Sequence, residues 1–421
     1  MDKLFTYLRD EGKMQKNYFL LALVFVVGLV FQDMSKFPMT AALSLSSFFV
    51  LISGNWPEKW SRLKSKPVIL LLIAYYLFHI VGVFYSDDMK FASRTVSLKI
   101  SILLFGVVWS VVKLTTDQIK KVLLTYVLAC FLASFIDLFS ALLRYLETGD
   151  LTNFLYNKLS IVFPNKKHYL SMYYAFAAFI TMFFAIRPLQ WMKSRVLFII
   201  ASLWFTNMVL LLGARAQLLA MLIVGPILII QIAKEKYASW KIWTGAVGFF
   251  IFLSVVILVN PITRPKVIES YDELNELFNP EGKKTTNPRV YIWDYAMDQI
   301  MEQSVIWGAG TGDAVNELQV RMYDCEVQFW IVDKYYLLRD KKLNYHNQFL
   351  ESLATLGISS ILLLLAVLLW PLIKYFSQSK IFLMFLLLIT LSFMTESILE
   401  RQAGVLFFAF FYPFLLQRKI I

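Results

Sequence analysis

Two arginines and a histidine stand in polar breaks beside apolar segments, and their side chains suit chemistry on a diphosphate. Arg215 lies in LLGARAQLLA, between two apolar runs. Arg289 follows Asn287 and Pro288, which resemble a helix N-cap and the first helical residue. His346 stands just before a long apolar run. A guanidinium matches phosphate oxygens through paired hydrogen bonds, and a neutral imidazole accepts a proton near pH 7. These residue types indicate diphosphate binding and deprotonation of a hydroxyl.

Each of these side chains also has a simpler interpretation. Arg215 can be a topological or snorkelling arginine, and Arg289 a solvated loop residue. His346 can be an interfacial histidine that only forms hydrogen bonds. Glu396, Glu400 and Arg401 stand together in MTESILERQAG, where a glutamate next to the arginine can be a paired structural charge. The functional interpretation depends on these side chains sharing one side of a membrane.

Composition places the chain in a membrane. Of its 421 residues, 58% are hydrophobic, and the mean hydropathy is +0.61. A soluble domain cannot bury that much apolar surface. The formal net charge of +12 comes mostly from short loops between apolar runs, which is typical of membrane topology. No basic patch with interleaved aromatic residues is present, so the charge does not indicate nucleic-acid binding.

Hydropathy predicts an all-α polytopic membrane protein with about twelve spanning helices, since a span needs roughly 17–25 apolar residues. The predicted spans are 17–33, 38–54, 67–85, 97–113, 122–143, 168–187, 195–213, 217–233, 242–260, 348–373, 380–399 and 403–417. Nine spans fall in a first region, a long polar loop in a second, and three spans in a third, with the boundaries 1–260, 261–346 and 347–421. The bias of Lys and Arg among the short loops predicts that both termini are cytoplasmic.

The long polar loop, 261–346, shows apolar residues at helical spacing and predicts about two to four amphipathic helices. The stretches NPEGKKTTNP and GAGTGD separate them. GAGTGD follows no strand and lacks a phosphate-binding lysine, so it predicts a turn rather than a nucleotide site. The outer side carries no Asp-x-Asp pair or acidic cluster, so we expect chemistry that needs no metal ion.

The order of these motifs resembles the O-antigen ligase family of polytopic glycosyltransferases. HNQFLESLATLG, from His346 to Gly357, is similar to a family motif of histidine, a polar residue, nine residues and glycine. NPRVYIWDYAMDQIMEQSVIWGAGTGD resembles the family's stretch of arginine, tryptophan and repeated glycines. LLGARAQLLA resembles a small-residue–arginine turn, and HYLSMYY, from His168, resembles a further element. Ala214 and Ser360 depart from the residues most frequent at their positions in the family.

The resemblance implies a GT-C-like membrane fold of about twelve helices with a large periplasmic loop. It implies metal-independent transfer of a glycan from undecaprenyl diphosphate, with inversion at the anomeric carbon and no cofactor. Arg215 and Arg289 would then bind the diphosphate, and His346 would activate the acceptor hydroxyl. Supporting residues implied by the resemblance are His168, Tyr169, Asn347 and Arg401.

The leading hypothesis is an O-antigen ligase of the bacterial inner membrane that joins polysaccharide to lipid A–core. Its partners would be the lipid-linked donor, the lipid A–core acceptor and membrane lipid, without nucleic acid. Two alternatives share the motifs: an O-antigen or exopolysaccharide polymerase, and a protein O-oligosaccharyltransferase. A transporter of lipid-linked glycan is an alternative from a different class, because arginines suit a diphosphate passenger equally well.

Overall fold

Helices form the regular structure of the protein in the computed structural model. The structure describes residues 10–160, 167–192, 194–233, 238–278, 288–324, 344–375 and 379–417. Within these ranges the only strand-like pairing is an isolated bridge between Leu189 and Met192. The predicted all-α polytopic class is confirmed.

In chain order, the α-helices are α1 (Glu11–Val30), α2 (Phe37–Ile52), α3 (Trp56–Lys64), α4 (Pro67–Val83), α5 (Met89–Val111), α6 (Thr116–Thr148), α7 (Tyr156–Leu159), α8 (Lys167–Ile186), α9 (Arg195–Leu212), α10 (Arg215–Ala233), α11 (Ser239–Val259), α12 (Arg264–Phe278), α13 (Pro288–Glu302), α14 (Ala314–Asp324), α15 (Gln348–Tyr375), α16 (Lys380–Phe393) and α17 (Gln402–Leu415). Two 3-10 segments, Leu151–Phe154 and Ile398–Glu400, precede α7 and α17.

Each of the twelve predicted spans overlaps a helix, and eight of the described helices are long and apolar enough to cross a membrane. The helices α4, α16 and α17 are apolar but shorter, and α2 is bent by 117° against α3. The prediction that the eleventh span reaches residue 399 is wrong, because α16 ends at Phe393. The polar sequence that follows forms a turn in which Thr395 and Glu396 donate their backbone N–H groups to the carbonyl of Ser392.

The centre of the bundle is built around α17. Every residue from Ala403 to Leu415 is buried, as expected for a helix that is apolar on all sides. Its phenylalanine rings meet those of the surrounding helices: the ring centroids of Phe410 and Phe25 lie 4.6 Å apart, and those of Phe407 and Phe385 lie 5.4 Å apart. Such ring pairs add to the gain from burial. This packing fixes the position of the turn that precedes α17.

The GAGTGD stretch joins the polar loop to the membrane helices. The N–H of Ala309 donates to the carbonyl of Ala354 at 2.9 Å, and that of Gly310 donates to Thr355 at 2.9 Å. These carbonyls are available because α15 is interrupted at Gly357, where φ is 69° and ψ is −164°. The predicted turn is confirmed. It attaches the loop to α15 through backbone hydrogen bonds.

This close approach predicts a strong effect of Gly357→Ala. A Cβ atom at Gly357 would overlap the carbonyl oxygen of Ile306, and the positive φ disfavours any L side chain. We expect the substitution to destabilise the protein by about 2–4 kcal/mol, measured as a lower Tm of the purified protein. Gly245→Ala is the matched control, because its Cβ would meet no atom closer than 3.8 Å. Equal Tm values for the two variants would contradict the packing.

The two ends of the bundle are distinct. At one end, Gln15 donates to the carbonyl of Lys113 at 2.5 Å, and Leu114 donates its N–H to Gln417 at 3.1 Å. Both ends of the described chain therefore lie here, and we call this the terminal face. At the other end, the carboxylate of Asp313 accepts the N–H of Asp88, just before α5, at 2.8 Å. The helices α12–α14 belong to this opposite end, the loop face.

Candidate active site

Glu396 brings two of the predicted site residues together at the loop face. Its Oε2 atom lies 3.0 Å from Nδ1 of His346 and 3.8 Å from Nη2 of Arg289. The side chain of Glu396 is 12% exposed, whereas those of His346 and Arg289 are 30% and 32% exposed. A nearly buried carboxylate thus holds a histidine and an arginine that remain open to a substrate. The sequence allows a structural pair between a glutamate of this stretch and Arg401, but the described ion pairs of Glu396 are with His346 and Arg289.

The backbone places His346 in an unusual conformation. Its φ is 47°, in the left-handed region that few non-glycine residues adopt. The preceding residue, Tyr345, is fully buried, and its hydroxyl lies 2.8 Å from both Oε1 of Gln299 and the carbonyl of Ala314. Trp293 donates its indole N–H to the carbonyl of Tyr345 at 2.9 Å. Contacts from α13 and the start of α14 therefore fix the histidine.

Asn347 supports the site through the backbone. It caps α15, since its Oδ1 accepts the N–H groups of Phe349 at 2.9 Å and Leu350 at 3.2 Å. Its Nδ2 donates to the carbonyl of Met394 at 3.3 Å. Asn347 therefore links the start of α15, next to His346, to the turn that carries Glu396.

A second buried glutamate, Glu351, forms hydrogen bonds to the segment before His346 and to the turn that carries Glu396. The Oε2 atom of Glu351 accepts the hydroxyl of Ser397 at 3.0 Å and the N–H of Tyr345 at 3.3 Å. Since Ser397 follows Glu396 and Tyr345 precedes His346, Glu351 holds both sides of the His346–Glu396 pair. Hydropathy gave no sign of this role, because Glu351 lies at the start of an apolar span.

Beneath this turn lies an ion pair inside the bundle. Nζ of Lys99 is 2.5 Å from Oε1 of Glu400 and 3.3 Å from Nε2 of His79, and Lys99 is fully buried. A charge so deep in a span is costly unless it is paired. The pair attaches the residues before α17 to α5.

The electrostatic environment keeps Glu396 ionised. Burial by itself raises the pKa of its carboxyl, but the hydrogen bond from His346 and the charges of His346, His168 and Arg289 outweigh it and lower the pKa below its usual value. An ionised carboxylate accepts a hydrogen bond from the N–H at Nδ1 of His346, which leaves Nε2 with its lone pair. That tautomer is the one a general base needs.

Arg215 is held by α12 rather than by Glu396. The structure confirms its predicted turn, since α9 ends at Leu212 and α10 begins at Arg215. Its Nη2 lies 2.7 Å from Oε2 of Glu269, and its Nη1 donates to the hydroxyl of Ser270 at 3.0 Å. Lys266 lies 2.6 Å from the same glutamate oxygen. Although burial raises it, the pKa of Glu269 is lowered by these neighbouring cations.

Lys167 lies within electrostatic range of both arginines. It starts α8, and it interacts electrostatically with Arg215, with Arg289 and with Lys266. We call these four residues the basic cluster; its members are Lys167, Arg215, Lys266 and Arg289. Among the described residues, the carboxylates of Glu269 and Glu396 pair with Arg215, Lys266 and Arg289, and the grouping of four cations suits an anion. The position of Arg289 in an opening helical turn is also confirmed, whereas Asn287, its predicted N-cap, lies outside the described residues.

The remaining supporting candidates differ in position. His168, next to Lys167, interacts with the charges of Glu396, Arg289 and His346. Tyr169 is buried and packs against Gly404, and its hydroxyl has no hydrogen-bond partner among the described residues.

Arg401 lies in the turn before α17. Its side chain is exposed at the residue before α17, and its charge reaches Tyr169. It forms no ion pair with a carboxylate in the part of the chain that the structure describes. Both residues thus interact with the region around Glu396, His168 directly and Arg401 through Tyr169, on which Glu396 also acts.

The donor set in this region is that of an anion site. No group of three or more His, Cys, Asp or Glu side chains that could hold a metal ion occurs among the residues described. Among these residues the site instead presents the cations of the basic cluster, the imidazoles of His346 and His168, and the carboxylates of Glu269 and Glu396. Such groups can neutralise a leaving diphosphate and accept a proton.

Comparison with known families agrees with the motif order. Residues 200–365 match the family model described as O-Antigen ligase, so the resemblance is confirmed over this region. No curated protein matches the chain. The matched region holds Arg215, Arg289 and His346, whereas Lys167 and Glu396 lie outside it.

Proposed function

We propose, on the premise of the O-antigen ligase domain at residues 200–365, that the protein transfers a polysaccharide from undecaprenyl diphosphate to a sugar hydroxyl of lipid A–core. The transfer would need no metal and would invert the anomeric carbon. The protein would lie in the bacterial inner membrane, with the terminal face cytoplasmic and the loop face periplasmic. The observation that carries this proposal is the contact of Glu396 with both His346 and Arg289.

The three regions of the chain would contribute to one active site. The spans before residue 260 supply Lys167 and Arg215, the loop 261–346 supplies Arg289 and His346, and the last spans supply Glu396. Because these groups come from different helices, relative movement of the loop and the bundle would change the distance between the base and the diphosphate ligands.

In this mechanism, His346 acts as general base. Glu396 accepts a hydrogen bond from the N–H at Nδ1, which orients the ring and presents Nε2 to the acceptor hydroxyl. As the hydroxyl oxygen bonds to the anomeric carbon, its proton passes to Nε2. Glu396 then stabilises the resulting imidazolium, as a carboxylate behind a catalytic histidine does in other enzymes.

The basic cluster would stabilise the leaving group. When the bond between the anomeric carbon and the phosphate oxygen breaks, its electron pair remains on the diphosphate. Lys167, Arg215 and Arg289 would neutralise that developing charge without a metal ion. One displacement from the opposite side of the sugar inverts the anomeric centre, so no covalent glycosyl-enzyme is required.

The test is reconstitution of the purified protein with undecaprenyl-diphosphate-linked glycan and three separate acceptors. Product on lipid A–core supports the ligase. Extension of the lipid-linked glycan would indicate a polymerase instead of a ligase. Glycosylation of a protein acceptor would indicate an oligosaccharyltransferase. Movement of the donor between leaflets with no new glycosidic bond would indicate a transporter.

We expect Arg215→Lys and Arg289→Lys each to reduce transfer by about 10²-fold, because an ammonium keeps the charge but loses the planar pair of donors. Transfer rates and donor affinity, measured at several donor concentrations, check this. Arg187→Lys, on the short segment between α8 and α9, is the matched control. Wild-type rates in both site variants would show that only the positive charge of the arginines matters and that their planar donor geometry does not.

We also expect millimolar EDTA to leave the transfer rate within about twofold of the untreated enzyme, because the cations at the site are side chains. The comparison needs dialysed protein, assayed with and without added Mg²⁺ or Mn²⁺. Restoration of a lost rate by either ion would contradict the proposed neutralisation of the diphosphate.

A further inference from the structure

A polar cavity of about 760 Å³ opens at the terminal face, at the opposite end of the bundle from His346. Its walls are the first turns of α1, the turn between α2 and α3, one side of α3 and the end of α5. The size is that of typical small-ligand sites. Nothing in the glycosyl-transfer mechanism uses this cavity.

The charges on the cavity wall leave a positive excess. Arg62 lies 3.3 Å from Glu11 and contacts Glu58, and it also donates to the carbonyl of Val111 at 2.9 Å. One arginine therefore engages both lining carboxylates. Two further lining cations, Lys59 and Lys113, form no ion pair with a carboxylate of the described chain.

The ammonium group of Lys59 is held by hydrogen bonds to uncharged groups. Its Nζ donates to the carbonyl of Val50 at 2.5 Å and to the hydroxyl of Ser53 at 2.9 Å. Close by, burial and the charges of Lys113 and Arg62 lower the pKa of Lys66 to about 8. Positive charge is thus crowded at this face, where an anion would relieve it.

The helix α3 places the cavity at the membrane interface. It turns by 117° from α2, so it cannot continue the span. Its Trp56 and Trp60 are 48% and 55% exposed, and the ammonium groups of Lys59 and Lys64 each lie 5.0 Å from one of these rings. Exposed tryptophans beside lysines on a short amphipathic helix are typical of a helix that lies among lipid headgroups.

We propose that this cavity binds the headgroup of an anionic phospholipid from the leaflet at the terminal face, with the lipid phosphate between Lys59 and Lys113. The acyl chains would follow the exposed side chains Phe48 and Leu51 of α2. Basic pockets between membrane helices bind anionic headgroups by this combination of charge and interfacial position. The site does not depend on the proposed transferase activity.

Native mass spectrometry of the purified full-length protein in detergent tests this site, with dioleoylphosphatidylglycerol or dioleoylphosphatidylcholine added at equal concentrations. We expect wild-type protein to retain phosphatidylglycerol preferentially. The double variant Lys59→Gln/Lys113→Gln should lose at least about tenfold in apparent affinity for it. A glycerol 3-phosphate arm distinguishes a lipid site from a soluble-anion site.

Lys64→Gln/Lys120→Gln is the matched control, because it removes the same charge from the same face outside the cavity lining. Retained lipid binding in this control, with loss in the cavity variant, supports the proposal. Equal loss in both variants would assign binding to diffuse surface charge and overturn it. Equal retention of phosphatidylcholine, or displacement by glycerol 3-phosphate at matched concentration, would also overturn it.

Discussion

His346→Ala should abolish glycan transfer while donor binding persists. Removal of the general base leaves the basic cluster intact, so we expect the rate constant for transfer to fall by about 10³–10⁴-fold. Affinity for the undecaprenyl-diphosphate-linked donor should change by less than about threefold, because the arginines and Lys167 would hold the diphosphate. Single-turnover transfer and equilibrium binding of the donor, measured on one preparation, check both parts.

His168→Ala is the comparison for this variant. His168 also lies at the loop face, but its described interactions with Glu396 are electrostatic, without a hydrogen bond. We expect its rate to fall by about tenfold or less. Turnover of His346→Ala at the wild-type rate would remove the proposed base, and loss of donor binding in that variant would show that His346 acts on the diphosphate instead.

Glu396→Gln is expected to have the second-largest effect. The amide matches the carboxylate in shape but carries no charge and can donate a hydrogen to Nδ1 of His346, which favours the unproductive tautomer. We expect kcat to fall by about 10²–10³-fold with a smaller change in KM for the acceptor. Steady-state kinetics over a range of acceptor concentrations separate these parameters.

Glu302→Gln makes the same chemical change on α13 and serves as the control, since Glu302 is 66% exposed and paired with Arg321. We expect near-wild-type kinetics for it. If Glu396→Gln raised KM and left kcat unchanged, Glu396 would contribute to acceptor binding and would have no role in orienting the base.

Stability should depend on pH through the same residue. Because the folded-state pKa of Glu396 is lowered, its ionisation stabilises the folded protein above the pKa of an unfolded glutamate, about 4.3. That contribution is lost as the pH falls through the lower folded-state pKa. The stability difference between wild type and Glu396→Gln should therefore shrink on acidification.

Local sequence information predicted most of the membrane spans and several of the turns between them. The spans follow from hydropathy, because a helix in lipid satisfies its backbone groups within the segment and needs only length and apolarity. The turn at Arg215, the helix start before Arg289 and the turn at GAGTGD follow from residues within a few positions of each other. These features do not depend on where the neighbouring helices pack.

Local sequence patterns could not predict the hydrogen-bond partner of His346. Glu396 lies 50 positions further along the chain, after two spans, and near Arg401 in the sequence it resembled an ordinary paired charge. Lys167 precedes His168 in the sequence, and nothing local ties it to Arg215 or Arg289. Each acquires its neighbours only when the helix ends meet.

The sequence by itself determined the membrane class, the approximate spans and the chemical character of the candidate residues, because these depend on side-chain type and short-range spacing. Only the tertiary structure decided that Glu396 joins His346 to Arg289, that α12 holds Arg215, and that Lys167 interacts electrostatically with both arginines. The physical reason is that turns from separate helices form the site, and the packing of the bundle around α17 sets their separation.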